Sequence, residues 1–97
     1  MEFQRVNPDS LAKPLAAYSQ VVRAGSIVTT AGLIALDSDG KIVGDGDVEA
    51  QVRKTLENLV AALEAVGATL DDVIKTTLYL ADMVDYAKMN AIYNEFF

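Results

Sequence analysis

Ninety-seven residues suffice for one domain with a thin core, because a chain this short buries only roughly 60–65% of the surface its unfolded form exposes. Yet 52% of the residues are hydrophobic and mean hydropathy is positive, an apolar excess that a symmetric homo-oligomer would bury between copies. The net charge of −6, with Lys and Arg scattered singly apart from Arg53-Lys54, leaves no basic surface for nucleic acid or an anionic membrane, and the lack of Cys and His removes disulfides, thiolate or imidazole catalysis and the commonest transition-metal ligands.

The N-terminus, MEFQRVNPDS, has neither the basic start nor the apolar middle of a secretory signal. No run approaches the ~20 apolar residues that span a bilayer, so a cytoplasmic location is expected. Phe3–Val6 reads as a short strand. Pro8 and Pro14 lack backbone donors and bias the preceding residues away from helix, which predicts a loop to about Gln20. From Gln20 to Leu36 the chain is rich in β-branched residues, and Gly25-Ser26 divides it into a hairpin of Gln20–Arg23 with Ile27–Ala31. Asp39-Gly40 is a turn dipeptide before Lys41–Val43.

Asp47 stands where a helix N-cap belongs. Val48, Val52, Leu56, Leu59, Leu63 and Val66 then recur at three- and four-residue steps, one helical stripe facing a core. Glu49, Arg53 and Glu57 lie opposite at i,i+4 spacing. Gly67 supplies the left-handed residue that ends the helix.

The run Gly67–Met83, GATLDDVIKTTLYLADM, then predicts a turn through Asp71-Asp72, a strand over Val73–Leu80 and a second helix opened by Asp82. In that strand Ile74, Thr76, Leu78 and Leu80 face one way and Val73, Lys75, Thr77 and Tyr79 the other. The last helix carries Tyr86, Met89, Tyr93 and Phe96 on one side. This order implies an α+β fold, a mixed sheet with two helices on one face, whose bare opposite face oligomerisation would cover. A helix ending on Phe96-Phe97 is expected to feed a further strand, so residues 1–97 read as a single, C-terminally truncated domain.

Several collinear runs carry a resemblance: Tyr18-Ser19-Gln20, Gly25, Gln51 with Asn58-Leu59, Gly67, Asp72-Val73, Lys75-Thr76-Thr77, Asp82-Met83, Asn90, Tyr93 and Phe97. No piece is specific alone. Together, from about Leu15 onward, they resemble the reactive intermediate deaminase family, also named the L-PSP endoribonuclease family. The resemblance implies a chorismate-mutase-like sheet with two helices, assembled as a homotrimer. It also implies hydrolysis of reactive 2-imino acids and their enamine tautomers to 2-keto acids and ammonia, without metal or organic cofactor.

The same resemblance places a substrate cleft at the subunit interface, formed by Tyr18, the backbone around Ala31 and Gly32, Asn90 and Tyr93. Two departures bear on it. Ala31-Gly32-Leu33 stands where the family usually has Ser-Gly-Gln, so a hydroxyl and an amide are missing from the cleft wall. The family's carboxylate-binding arginine and water-orienting glutamate belong to strands that would follow Phe97, so no catalytic residue is assigned. An imino acid's carboxylate calls for a bidentate guanidinium, and water attack on the imine carbon calls for a carboxylate where there is no His.

Each candidate has an ordinary reading beside the functional one. A tyrosine in a loop such as Tyr18 is commonly a packed aromatic, and Asn90 a partly exposed helix residue. Gly32 can mark a bulge or a close backbone approach. Lys75 reads as an interface lysine whose stem lies along apolar surface rather than as a nucleophile, and Arg23 would replace the missing clamp only if it lay near the cleft. Asp71, Asp72, Asp82 and Asp85 read as turn and cap residues. The reaction class expected is therefore imine hydrolysis at an interface. The alternatives are a non-catalytic small-carboxylate-binding or chaperone-like trimer and, against the acidic charge, an endoribonuclease.

Overall fold

The computed structural model describes residues 1–97. Three strands, β1 (Phe3–Val6), β2 (Val21–Ala24) and β3 (Ile27–Thr30), form an antiparallel sheet in that order. The β2–β3 hairpin sits one residue later than the alternation suggested, because Ala24 pairs with Ile27 around a two-residue turn. Gly25 takes φ +61° at the first central position, the conformation that lets the turn follow the right-handed twist of the strands.

Helix α1 (Val48–Glu64) begins where the sequence places it: the Asp47 carboxylate accepts from the Ala50 N–H at 3.2 Å. Its end is a Schellman closure. The Ala68 N–H reaches the Leu63 carbonyl and the Gly67 N–H reaches that of Glu64, with Gly67 at φ +80°.

The helix buries two faces rather than one stripe. Ala62 and Val66, flanked by Ala61 and Ala65, pack with Leu11 and Val21 and with Val6, Val28 and Leu33 beneath. Small residues on this side let the helix axis approach the sheet closely. Leu56 and Leu63, roughly a third of a turn away, supply the side toward the second helix.

A 3-10 turn (Met83–Asp85), capped by Asp82 onto the Val84 N–H at 3.0 Å, leads into α2 (Tyr86–Phe96), which packs along α1 with Met89 and Ile92 buried. Arg53 bonds Glu95 of α2 at 2.6 Å, so the expected i,i+4 partners Glu49 and Glu57 do not hold it.

The α+β class is found, with α1 covering one face of the sheet. Two elements differ from expectation. Lys41–Val43 forms only an isolated bridge, Leu36 with Ile42. Val73–Leu80 does not join the sheet, so all paired strands are antiparallel and none is parallel. Its β-branched sequence favours extended backbone, but a ladder needs a neighbour, and residues 74–81 make no backbone–backbone hydrogen bond.

The sheet face away from α1 carries Phe3, Arg5, Val22, Ala24, Ile27 and Thr29. Phe3 and Ile27 are 55% and 66% exposed, with the Arg5 guanidinium 5.0 Å from the Phe3 ring centre. No helix is long and apolar enough to cross a membrane.

Candidate functional site

From Thr76 to Leu80 the expected alternation survives without pairing, whereas Ile74, expected on the same face, is 99% exposed outside the groove. Thr76, Leu78 and Leu80 turn toward α2, and with Met83, Tyr86, Met89, Asn90 and Tyr93 they line a groove of about 340 Å³. Asn90 and Tyr93 stand one helical turn apart and point into this space together, as their i,i+3 spacing requires. The Tyr93 and Thr76 hydroxyls share a hydrogen bond of 2.8 Å, and Phe97 stacks on the Tyr93 ring at 4.6 Å. These contacts fix the Tyr93 phenol at the groove wall. No Asp, Glu, Lys or Arg lines the groove. It offers apolar surface, an amide and hydroxyls, which suit holding a small polar molecule rather than moving its protons.

The other candidates lie elsewhere in the protomer. Tyr18 borders a second hollow of about 510 Å³ built from the Asn7–Tyr18 loop and Ser38. That loop is anchored by Gln20, whose backbone N–H donates to the Asn7 side chain and whose amide donates to the Ala12 carbonyl, both at 2.8 Å. Ala31 extends the β2–β3 ladder by donating to the Gln20 carbonyl at 2.9 Å, and neither Ala31 nor Gly32 lines either hollow. The protomer thus unites Asn90 with Tyr93 and leaves Tyr18 and Ala31-Gly32 apart from them.

Gly32 is neither bulged nor crowded: its φ is not positive, and a Cβ there would meet nothing within 4 Å. Nothing inside the protomer requires the glycine.

Arg23 is not a free carboxylate clamp. Its Nη1 donates to the Val66 carbonyl at 2.7 Å and its Nε to the Gly25 carbonyl at 3.0 Å, so it closes the C-terminus of α1 while bracing the hairpin turn. Lys75 is exposed on the side away from the groove. Asp72 accepts from the Thr69 N–H at 2.9 Å and Asp82 caps the turn before α2, which confirms both as cap residues.

The family-pattern residues Gln51 and Asn58 also prove structural. Gln51 donates to the Gly44 carbonyl at 2.8 Å. The buried Asn58 amide donates to the carbonyls of Ile34 and Leu36, each at 3.0 Å, and so pins the segment after Gly32 onto α1. A polar residue within an apolar helical stripe is the sequence signal for such a clamp. In the turn that follows, Asp37 accepts from the Lys41 and Asp39 N–H groups. The Lys41 bond above all holds its carboxyl below the ordinary value.

A short antiparallel sheet covered by α1, with α2 packed along that helix, defines a small α+β protein. The profile of the family described as endoribonuclease L-PSP matches residues 9–97, and the chain belongs to that family. A RutC family protein of Pyrococcus horikoshii is 46% identical over 89 residues, covering 92% of this chain and 71% of the relative. The crystal structure of Escherichia coli TdcF with bound serine superposes with a TM-score of 0.90 at 34% identity, covering 97% of this chain and 73% of that one. RidA of the Antarctic bacterium Psychrobacter gives a TM-score of 0.90 at 28% identity, over 97% and 76%.

Proposed function

We propose that this protein serves the hydrolysis of 2-imino acids to 2-keto acids and ammonia at a site between subunits of a cytoplasmic homotrimer, and that residues 1–97 supply the surfaces that hold the substrate rather than the groups that move its protons. The observation that carries the reading is family membership over residues 9–97. A small amino acid bound to TdcF, a neighbour at 34% identity, supports a ligand of this size and charge. In the trimer reading, Tyr18 and the Ala31-Gly32 backbone of one subunit face Asn90 and Tyr93 of the next, which accounts for their separation within a protomer. The bare sheet face with Phe3 and Ile27 would be the buried surface.

Hydrolysis requires water to add to the imine carbon and ammonia to leave, with a group that accepts and returns a proton. The groove lacks any carboxylate or cation, so the 97-residue chain is expected to turn over slowly or not at all. The test is release of ammonia and 2-ketobutyrate from 2-iminobutyrate generated in situ. Production at the rate of buffer alone is expected, alongside saturable binding of 2-ketobutyrate. Turnover well above that of buffer would place the essential groups among residues 1–97 and overturn this assignment of the chemistry.

The uncharged groove and the apolar Ala31 and Leu33 favour a second reading, a small-carboxylate-binding or chaperone-like trimer without catalysis. Ordered 2-ketobutyrate in crystals, with assays silent even for longer family members carrying Ala and Leu at these positions, distinguishes it. An endoribonuclease follows only from the family's description. The acidic charge and the absence of His count against it.

A further inference from the structure

The chain holds two Asp-Gly dipeptides, Asp39-Gly40 and Asp45-Gly46, each exposed in a turn with its glycine at positive φ and open space where a Cβ would stand. A glycine amide has no side chain to shield it, so it can attack the carboxyl carbon of the aspartate before it. Sterics are therefore alike at the two sites, and hydrogen bonding separates them. The Gly40 N–H donates to the Asp37 carbonyl at 3.0 Å, and the Asp37 carboxylate accepts from the Asp39 and Lys41 amides on either side. The Asp37 N–H in turn donates to the Lys41 carbonyl at 2.9 Å. Rotating the peptide between Asp39 and Gly40 breaks into this set.

The second dipeptide has no such restraint. Its turn is closed from outside, by the Asp47 N–H on the Gly44 carbonyl at 2.8 Å, and no backbone N–H or C=O of Asp45 or Gly46 has a backbone partner. The peptide between them can rotate in place toward the Asp45 carboxyl without breaking a hydrogen bond, and Gly46 absorbs the counter-rotation. We propose that Asp45-Gly46 is a self-modification site, where Asp45 isomerises to a β-linked aspartate through a cyclic imide while Asp39-Gly40 is held back by its turn. The Gly46 nitrogen attacks Cγ of the Asp45 carboxylic acid, the N–Cγ bond forms, and the amide proton leaves with the carboxyl hydroxyl as water. Water then adds at the Asp45 α-carbonyl and breaks its bond to the Gly46 nitrogen, which takes back a proton. The chain now continues through Cγ with its composition unchanged, and water is the only co-reactant.

Helix α1 would register the change. The β-linkage inserts one methylene into the backbone between Gly44 and Asp47, the residues that close the turn and start the helix. The Gly44 carbonyl also receives the Gln51 side chain at 2.8 Å. Asp47 caps the Ala50 N–H at 3.2 Å, and its carbonyl accepts from the Gln51 N–H at 3.0 Å. An extra atom inside the turn moves Gly44 and Asp47 out of this arrangement, so the N-terminal cap of α1 is what isomerisation unseats. The sheet and the contact between the helices lie outside the turn and keep their bonds.

The test incubates the full chain in mildly acidic buffer made with heavy-oxygen water, because each passage through the imide leaves a labelled oxygen in the product. Trypsin then puts the two sites on separate peptides, Asp39 on 24–41 and Asp45 on 42–53. In the folded protein, β-linked aspartate is expected to accumulate about tenfold faster at Asp45 than at Asp39, the ratio that one or two backbone hydrogen bonds can hold back. In urea, where both turns are open, the two rates are expected to converge. Asp45→Asn enters the same imide by losing ammonia and is expected to isomerise faster than the wild type. Asp45→Glu would need a six-membered ring and is expected to stop label uptake on peptide 42–53. The aged wild type is expected to lose amide protection at Ala50 and Gln51. Equal rates at the two sites in the folded protein, faster reaction at Asp39, or undiminished label uptake in Asp45→Glu overturns the proposal. Unchanged protection at Ala50 and Gln51 overturns its link to the α1 cap.

Discussion

Two side chains, Asn58 and Asp37, fix the loops around the sheet, and each does so through backbone groups. Asn58→Ala strands the Ile34 and Leu36 carbonyls next to α1, and the expected loss is about 1–3 kcal/mol in denaturant unfolding. Asp37 acts through its charge. Its folded-state carboxyl is more acidic than its ordinary value of 3.8, so the stability it contributes is complete above that value and is lost as pH falls below it. The Asp39 and Lys41 amides are expected to lose protection on acidification through this range in the wild type, while Asp37→Asn shows a flat profile by hydrogen exchange. Within the proposed site, Asn90→Ala is expected to weaken 2-ketobutyrate binding roughly tenfold by calorimetry, since one charge-assisted hydrogen bond is worth about 1.5–3 kcal/mol. Asn90 and Tyr93 are legible as a pair because helical spacing alone unites them. The use of Arg23 to close α1 is not, because it depends on a contact spanning 43 positions.

At the scale of elements, α1 is the most readable part of the chain. Asp47 and Gly67 mark its ends and the apolar steps between them mark its inner side. What periodicity could not supply is the second buried face, made of alanines too small to stand out. Just before the helix, Gly44 adopts φ +75°, and a Cβ there would lie 2.7 Å from that of Ala50. Gly44→Ala therefore combines left-handed strain with a clash against the Ala50 Cβ and is expected to cost more than Gly40→Ala, which has φ +80° but open space around it. The second change should cost about 1–2 kcal/mol, and the excess of the first over the second measures the clash. Val73–Leu80 shows the opposite limit of sequence reading. Its alternation correctly orients Thr76, Leu78 and Leu80, but pairing belongs to whatever lies alongside, which a strand's own sequence does not contain.

For the whole molecule, the apolar excess evident in composition has two outlets in the structure, the face holding Phe3 and Ile27 and the edge at Ile74–Ala81. In the trimer reading, Ile27→Glu places a charge on the buried face, and sedimentation is expected to show a threefold fall in assembly mass. An unchanged mass would remove the sheet face from the interface. The helices and hairpin of this scaffold follow from local rules, while the candidate residues Tyr18 and Asn90 with Tyr93 lie apart within the protomer, which is why fold class is easier to read here than chemistry.

The Arg23 bridge to Val66 also bears on how fast this chain gains and loses its structure. The hairpin and α1 can each form from nearby residues in microseconds, and the guanidinium joins them only after they have met. A contact of that kind belongs to the final descent to the native state. Arg23→Ala is therefore expected to speed unfolding several-fold while leaving the refolding limb of the chevron almost unmoved. The arginine would then act as a latch on the lifetime of the folded protomer, setting how long each copy persists before it opens.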